Sequence, residues 1–163
     1  MTGSHPIVLV DGRSGSGKTQ FATKLASELG GSLLSLDEVY PGWDGLDAGS
    51  WHMYLNVLQA LASNTPVRYR VWDWQTQTPA HWVTVPADTP LVIEGCGAIR
   101  LESVALATEA IWLEAPEAIR YERAVSREGE YYKPLWKRWA LQEDRFIALH
   151  NPRGLATTEH YTG

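Results

Sequence analysis

One cysteine, Cys96, stands in the whole chain, so no internal disulfide can form and nothing points to a secreted, cross-linked framework. No stretch approaches the ~18 consecutive apolar residues of a membrane span, and no N-terminal apolar run suits a signal peptide. The expected compartment is therefore the cytoplasm, with no membrane partner. Positive charge is the minority sign: 14 Lys and Arg against 19 Asp and Glu leave a formal net charge of −5. That balance argues against a nucleic-acid-coating surface, which is usually basic. The five histidines show no metal-ligand spacing, and no Ser-His-Asp signature appears. There is also no internal repeat and no low-complexity tract. What remains is ordinary for one globular domain, expected to span 1–163: 44% hydrophobic, 20% charged, and long enough to bury a core without metal staples.

Against that background one stretch stands out. "GRSGSGKT", Gly12 to Thr19, fits G-x-x-x-x-G-K-[ST] at every position; by chance a chain of this length matches on the order of once in two hundred. The stretch follows the apolar run Ile7–Val10 and opens an amphipathic segment from about Lys18 to Leu29, where Phe21, Leu25 and Leu29 share a face. In such a loop the glycines Gly12, Gly15 and Gly17 let successive N–H groups, including those of Ser14 and Ser16, turn inward on a phosphate. Lys18 reaches the β- and γ-phosphates, and the Thr19 hydroxyl ligates Mg²⁺. The guanine-selecting N-K-x-D motif is absent, so ATP is the expected donor.

Further apolar runs alternate with helical patterns: "SLLSL" ending at Asp37, "PLVIEG", "AIWLEA", a helix from Pro116 toward Arg127, and another from about Pro134 to Leu149. Ser50 is expected to cap a helix bearing Tyr54, Val57, Leu58 and Leu61. "VRYRVWDW" and "HWVTV" alternate as paired strands do, which predicts a hairpin excursion over about 67–86. Unbroken apolar strands alternating with helices predict an α/β fold with a parallel sheet covered on both faces, and the loop Gly12–Thr19 makes a three-layer P-loop NTPase architecture the expectation. Ligands gather at the carboxyl ends of such strands, and Asp11, Asp37, Glu94 and Glu114 each follow one.

The acceptor side is read from those strand ends. Asp37, across from the phosphate loop, is the candidate base that takes a proton from an attacking hydroxyl. Glu94 is the candidate for organising Mg²⁺ through water. Tyr40, Trp43 and Asp44, in a Pro/Gly-rich loop, are candidates for an acceptor pocket, with loop anchoring as the alternative. Trp72 and Asp73 on the hairpin are further acceptor candidates, Asp73 as a polar anchor between aromatics. Six of the 14 basic residues fall between Arg120 and Arg138. Arg120, Arg123 and Arg127, spaced three and four apart, predict one helix face leading into a short lid over about 127–134. Arg123 is expected at the nucleotide and Arg127 at the transferring phosphate.

Together "DGRSGSGKT", "LDEVY", "VWDW", "LVIEG" and "RYERAVSRE" resemble the uridine kinase-like branch of the P-loop nucleoside and nucleoside-monophosphate kinases, over roughly 7–153. The resemblance implies a catalytic base at Asp37 with Tyr40 matching the motif's tyrosine. It also implies a base-contacting hairpin at Trp72–Asp73–Trp74, an E-G pair at Glu94–Gly95, and lid arginines at Arg123 and Arg127. Trp72 stands where the family has tyrosine, and Gln77 where it has a base-reading histidine. The family's last apolar strand is not announced either: "GLATTEHYTG" is polar, which predicts an incomplete strand and adenine pocket.

The expectation is an ATP- and Mg²⁺-dependent kinase acting on a hydroxyl of a small nucleoside-like or other acceptor, as a monomer or homodimer. A nucleoside-monophosphate kinase is the first alternative, although residues 37–60 contain no Arg or Lys to hold an acceptor phosphate. A non-catalytic ATP-binding regulatory protein is the second.

Overall fold

In the computed structural model, which describes residues 5–163, the run Ile7–Gly12 forms β1 at the centre of a five-stranded sheet. The first four residues of the expected domain lie outside the described residues. The other strands are β2 (Ser32–Ser35), β5 (Leu91–Glu94), β6 (Glu109–Glu114) and β7 (Thr158–Tyr161). Their order is β2-β5-β1-β6-β7 and every pairing is parallel. Between β2 and β5 the hairpin strands β3 (Arg68–Asp73) and β4 (Thr78–Thr84) form a separate antiparallel pair. This is the expected α/β architecture.

Alternation along the strands divides the core in two. Val8 and Val10 of β1 face α1 (Lys18–Leu29), where they pack with Ala22, Ala26, Ile111 and Leu113. Leu9, between them, faces the larger core with Leu34, Ile93, Val57, Leu58, Trp139 and Phe146. The helical cover on that side is α2 (Leu46–Met53), a π-helical turn (Tyr54–Leu58) and α3 (Gln59–Ala62), then α4 (Leu101–Val104) and α6 (Lys133–His150). Helix α1 stops where the glycine pair predicts: Gly30 sits at φ 67° and donates its N–H to Ala26 and Ser27 carbonyls.

Two expectations are corrected, the Ser50 cap and the incomplete last strand, and the extent of the lid segment is defined. Ser50 is inside α2 rather than capping it, because its hydroxyl donates 2.6 Å to the Gly97 carbonyl and ties the helix to the loop after β5. The segment expected as a short lid, about 127–134, contains one turn between two helices. Helix α5 (Glu117–Glu128) ends at Gly129 (φ 99°), a single 3₁₀ turn (Glu130–Tyr132) follows, and α6 starts at Lys133. The polar C-terminal segment does form a strand. After the short α7 (Pro152–Leu155), β7 pairs with β6 from Ile111↔Thr158 to Glu114↔Tyr161. Among the described residues, no helix is long and apolar enough to cross a membrane.

Candidate active site

The loop from β1 to α1 wraps tightly because Gly15 and Gly17 adopt φ 81° and 92°, a left-handed backbone that costs other residues energy. A side chain at position 15 would run into the Arg120 carbonyl of α5. The buried Lys18 ammonium donates 3.0 Å to the Arg13 carbonyl. Burial opposes its charge, but the acids around it, Glu94, Glu143 and Asp11 among them, outweigh that cost and raise its pKa. The Ser16 hydroxyl is fully buried without a partner, an orphaned donor within the loop's curve.

Beside the loop, Glu94 closes β5 with a carboxylate that is 1% exposed. Thr19 Oγ1 donates to both of its oxygens at 3.3 Å, and Ser35 Oγ, at the end of β2, donates at 2.6 Å. Burial raises the Glu94 pKa, against the pull of Lys18 and the two hydroxyls. One carboxylate and two hydroxyls are hard oxygen donors suited to Mg²⁺, which keeps waters and phosphate oxygens as its other ligands. The nucleotide and metal implied by the loop therefore fit the residues present. Ser35 gave no motif signal; only its position one strand over from Glu94 reveals it.

These groups open onto a cavity of about 490 Å³. Ser14, Lys18, Thr19 and Glu94 form its phosphate end, and Asp37 and Glu38, on the 3₁₀ turn after β2, lie at its rim. The Asp37 carboxylate makes no hydrogen bond or ion pair among the described residues, while its backbone carbonyl accepts 2.8 Å from the Trp74 indole. Most of the remaining wall is aromatic. Trp43 packs against Trp74 at 5.0 Å, Tyr132 at 5.5 Å and Trp139 at 6.3 Å between centroids. Trp72 and Tyr131 complete that wall. Tyr40 is at the cavity too, yet its hydroxyl is committed to the Cys96 carbonyl at 2.7 Å, and burial raises its pKa well above the usual value.

Other candidates are placed elsewhere. Asp44 is held on the surface by Arg138 in a two-pronged pair at 2.7 and 2.5 Å, which lowers its pKa, and it does not line the cavity. Asp73 accepts from the Gln75 and Thr76 amides at 2.9 and 3.2 Å, so it shapes the hairpin turn instead of an acceptor site. The three arginines do not act as one face. Arg120 is buried and donates to the Ala115 and Ser14 carbonyls, and Arg123 bridges the Gly15 carbonyl and Thr162. Only Arg127 reaches the cavity, paired 2.9 Å with Glu128. Of the strand-end acids, Asp11 accepts backbone N–H bonds from Gly12, Gly97 and Ile99, and Glu114 pairs with Arg153 at 2.6 Å.

Sequence reading missed Glu143. Its buried carboxylate accepts 2.7 Å from the Ser14 N–H and pairs with Arg13 at 3.3 Å, fastening α6 to the phosphate loop. The signal was present: Trp139, Glu143, Phe146 and His150 are the buried residues of α6, an apolar stripe interrupted by one acid. Tyr132 makes a parallel tie, its hydroxyl 3.1 Å from Ser14 Oγ.

No family model and no curated protein sequence matches the chain. Solved structures do. One described as "a possible uridine kinase" from Bacillus stearothermophilus superposes with TM-score 0.68 at 18% identity, over 98% of this chain and 90% of that one. A shikimate kinase from Acinetobacter baumannii, in complex with shikimate, gives TM-score 0.54 at 16% identity, over 98% and 85%. A gluconokinase from Sinorhizobium meliloti 1021 gives 0.52 at 18% identity, over 95% and 81%. Two of these are described as kinases and one as a possible kinase, and the chain has the α/β fold that they share.

Proposed function

We propose that this protein is a small-molecule kinase that transfers the γ-phosphate of ATP to a hydroxyl, with Mg²⁺. The observation that carries the reading is the single cavity shared by Lys18, Thr19, Glu94 and the unpaired carboxylate of Asp37. A phosphate end and a free base opening on one volume are what in-line transfer requires; a purely regulatory nucleotide site has no need of the second. The loop amides of 14–19 and Lys18 hold the β- and γ-phosphates. Thr19 and Glu94 hold Mg²⁺, which supplies charge neutralisation at the phosphate oxygens. Asp37 orients the acceptor hydroxyl and takes its proton, and Arg127 turns from Glu128 toward the transferring group. The cavity's cations, Lys18 and Arg127, are both accounted for by the donor. That leaves no basic group for an acceptor phosphate and disfavours a monophosphate kinase.

Replacing Asp37 by Asn tests this. Turnover on an accepted alcohol should fall by roughly a hundredfold or more, while ATP binding by titration calorimetry stays near that of the wild type. Turnover left intact would remove Asp37 as base. ATP binding without transfer to any alcohol in a nucleoside, sugar and amino-sugar screen would favour the regulatory reading.

A further inference from the structure

The kinase reading leaves the acceptor unnamed, and the cavity's unspent groups narrow it. Most of the neutral donors around the wall are engaged within the protein, the Trp43 indole N–H excepted. Gln77 Nε2 donates to the Trp74 carbonyl at 2.6 Å, Trp74 Nε1 to the Asp37 carbonyl, and Tyr131 to Glu128 at 3.2 Å. Tyr40 and Tyr132 are committed to Cys96 and Ser14. The Trp72 indole N–H is buried, closed off from open space. A nucleobase edge, which needs donors and acceptors in alternation, therefore finds few donors here.

Acceptors are what remain. Asp37 has no side-chain partner, and Glu38 has only the Tyr69 hydroxyl at 3.2 Å. Neither is in an ion pair among the described residues, although each stands at a cavity with Lys18 and Arg127 in its wall. The rings of the wall pack on one another around Trp43 but carry no stacked cation. Elsewhere in the chain guanidinium groups sit over aromatic rings: Arg68 and Arg70 on Trp82, Arg100 on Trp51, Arg120 on Trp136. No arginine or lysine is stacked on a described aromatic of the cavity wall, and Arg127 is turned to Glu128. Electron-rich rings beside two carboxylates that make no ion pair among the described residues attract a cation.

We infer that the acceptor is a polyhydroxylated amine, an amino sugar or aminocyclitol, whose ammonium group lies between the aromatic wall and Glu38 while one hydroxyl meets Asp37. This rests on the kinase reading for the hydroxyl and on the wall alone for the ammonium. Transfer forms the O–P bond at that hydroxyl and breaks the γ-phosphate's bond to ADP, with the hydroxyl proton passing to Asp37.

The test uses matched pairs: 2-deoxystreptamine against myo-inositol, and glucosamine against glucose, with uridine as a base-bearing control. Binding is read by quenching of tryptophan fluorescence, transfer by ADP release with MgATP. The amines should bind at least about tenfold more tightly than their neutral partners. Glu38→Gln should erase most of that preference without moving the thermal midpoint, since Glu38 is exposed. Equal or tighter binding of the neutral partners or of uridine, or no binding by either amine, overturns the inference. Phosphorylation of a neutral alcohol in that case leaves the kinase reading standing. Amine preference without ADP release from any member would instead sink the kinase reading and leave the ammonium site.

Discussion

Asp11 shows how a strand-end acid serves structure alone. It is 2% exposed, and its oxygens accept from Ile99 at 2.9 Å, Gly97 at 3.2 Å and Gly12 at 2.7 Å. Burial, partly offset by those N–H bonds, pushes its pKa from 3.8 up to about 7. Between those values the folded state holds a proton that the unfolded state has released. Stability from this group is therefore greatest in acid and is lost as pH rises through about 7. The stability gap between wild type and Asp11→Asn should widen by about 1 kcal/mol from pH 8 to pH 6 in denaturant titrations. Subtracting the variant removes the opposing contributions of His52 and His150, whose pKa values burial lowers. A constant or narrowing gap would contradict the assignment. Sequence position marked Asp11, Asp37, Glu94 and Glu114 alike as ligand-facing. Which of them line the cavity depended on neighbours far along the chain, Ile99 for Asp11 and Arg153 for Glu114, and no local pattern reports those.

At the scale of elements, β1, α1, β5 and β6 were legible because each carries its own apolar signature. Strand β7 was not, because all four of its residues are exposed on the sheet edge. Its stability comes from partners: the parallel ladder to β6, and Arg153, which joins Glu114 at the end of β6 to Glu159 of β7 at 2.6 and 2.5 Å. The strand delivers Thr162 to the phosphate loop, where its hydroxyl donates 2.7 Å to the Ser16 carbonyl and accepts 3.1 Å from Arg123. Loss of a part-buried hydrogen-bonding hydroxyl costs about 1 kcal/mol, so Thr162→Val should weaken ATP binding by roughly threefold to tenfold. Acceptor affinity, measured on the same protein, should hold. An unchanged ATP dissociation constant would show that the C-terminal strand braces the fold without shaping the nucleotide site.

Taken as a whole, the molecule couples its two halves through the phosphate loop. On one side the loop opens α1, packed on the smaller core; on the other it is bound by α6, which belongs to the larger. Four ties cross that seam: Glu143 to the Ser14 N–H, Arg13 to Glu143 and to Asp144, and Tyr132 to Ser14 Oγ. A single 3₁₀ turn joins α5 to α6 beside the site. Ordering of the loop by a phosphate must then be felt along α6, because a carboxylate tied to a loop amide shares that amide's mobility. Hydrogen exchange with MgATP bound should slow the amides of 132–146 together with those of 13–19, by about tenfold or more. The hairpin β3–β4, which forms its own sheet, should keep its exchange rates unless an acceptor is also present. Protection confined to 13–19 would mean that α6 is a passive wall, and the seam through Glu143 would carry no coupling.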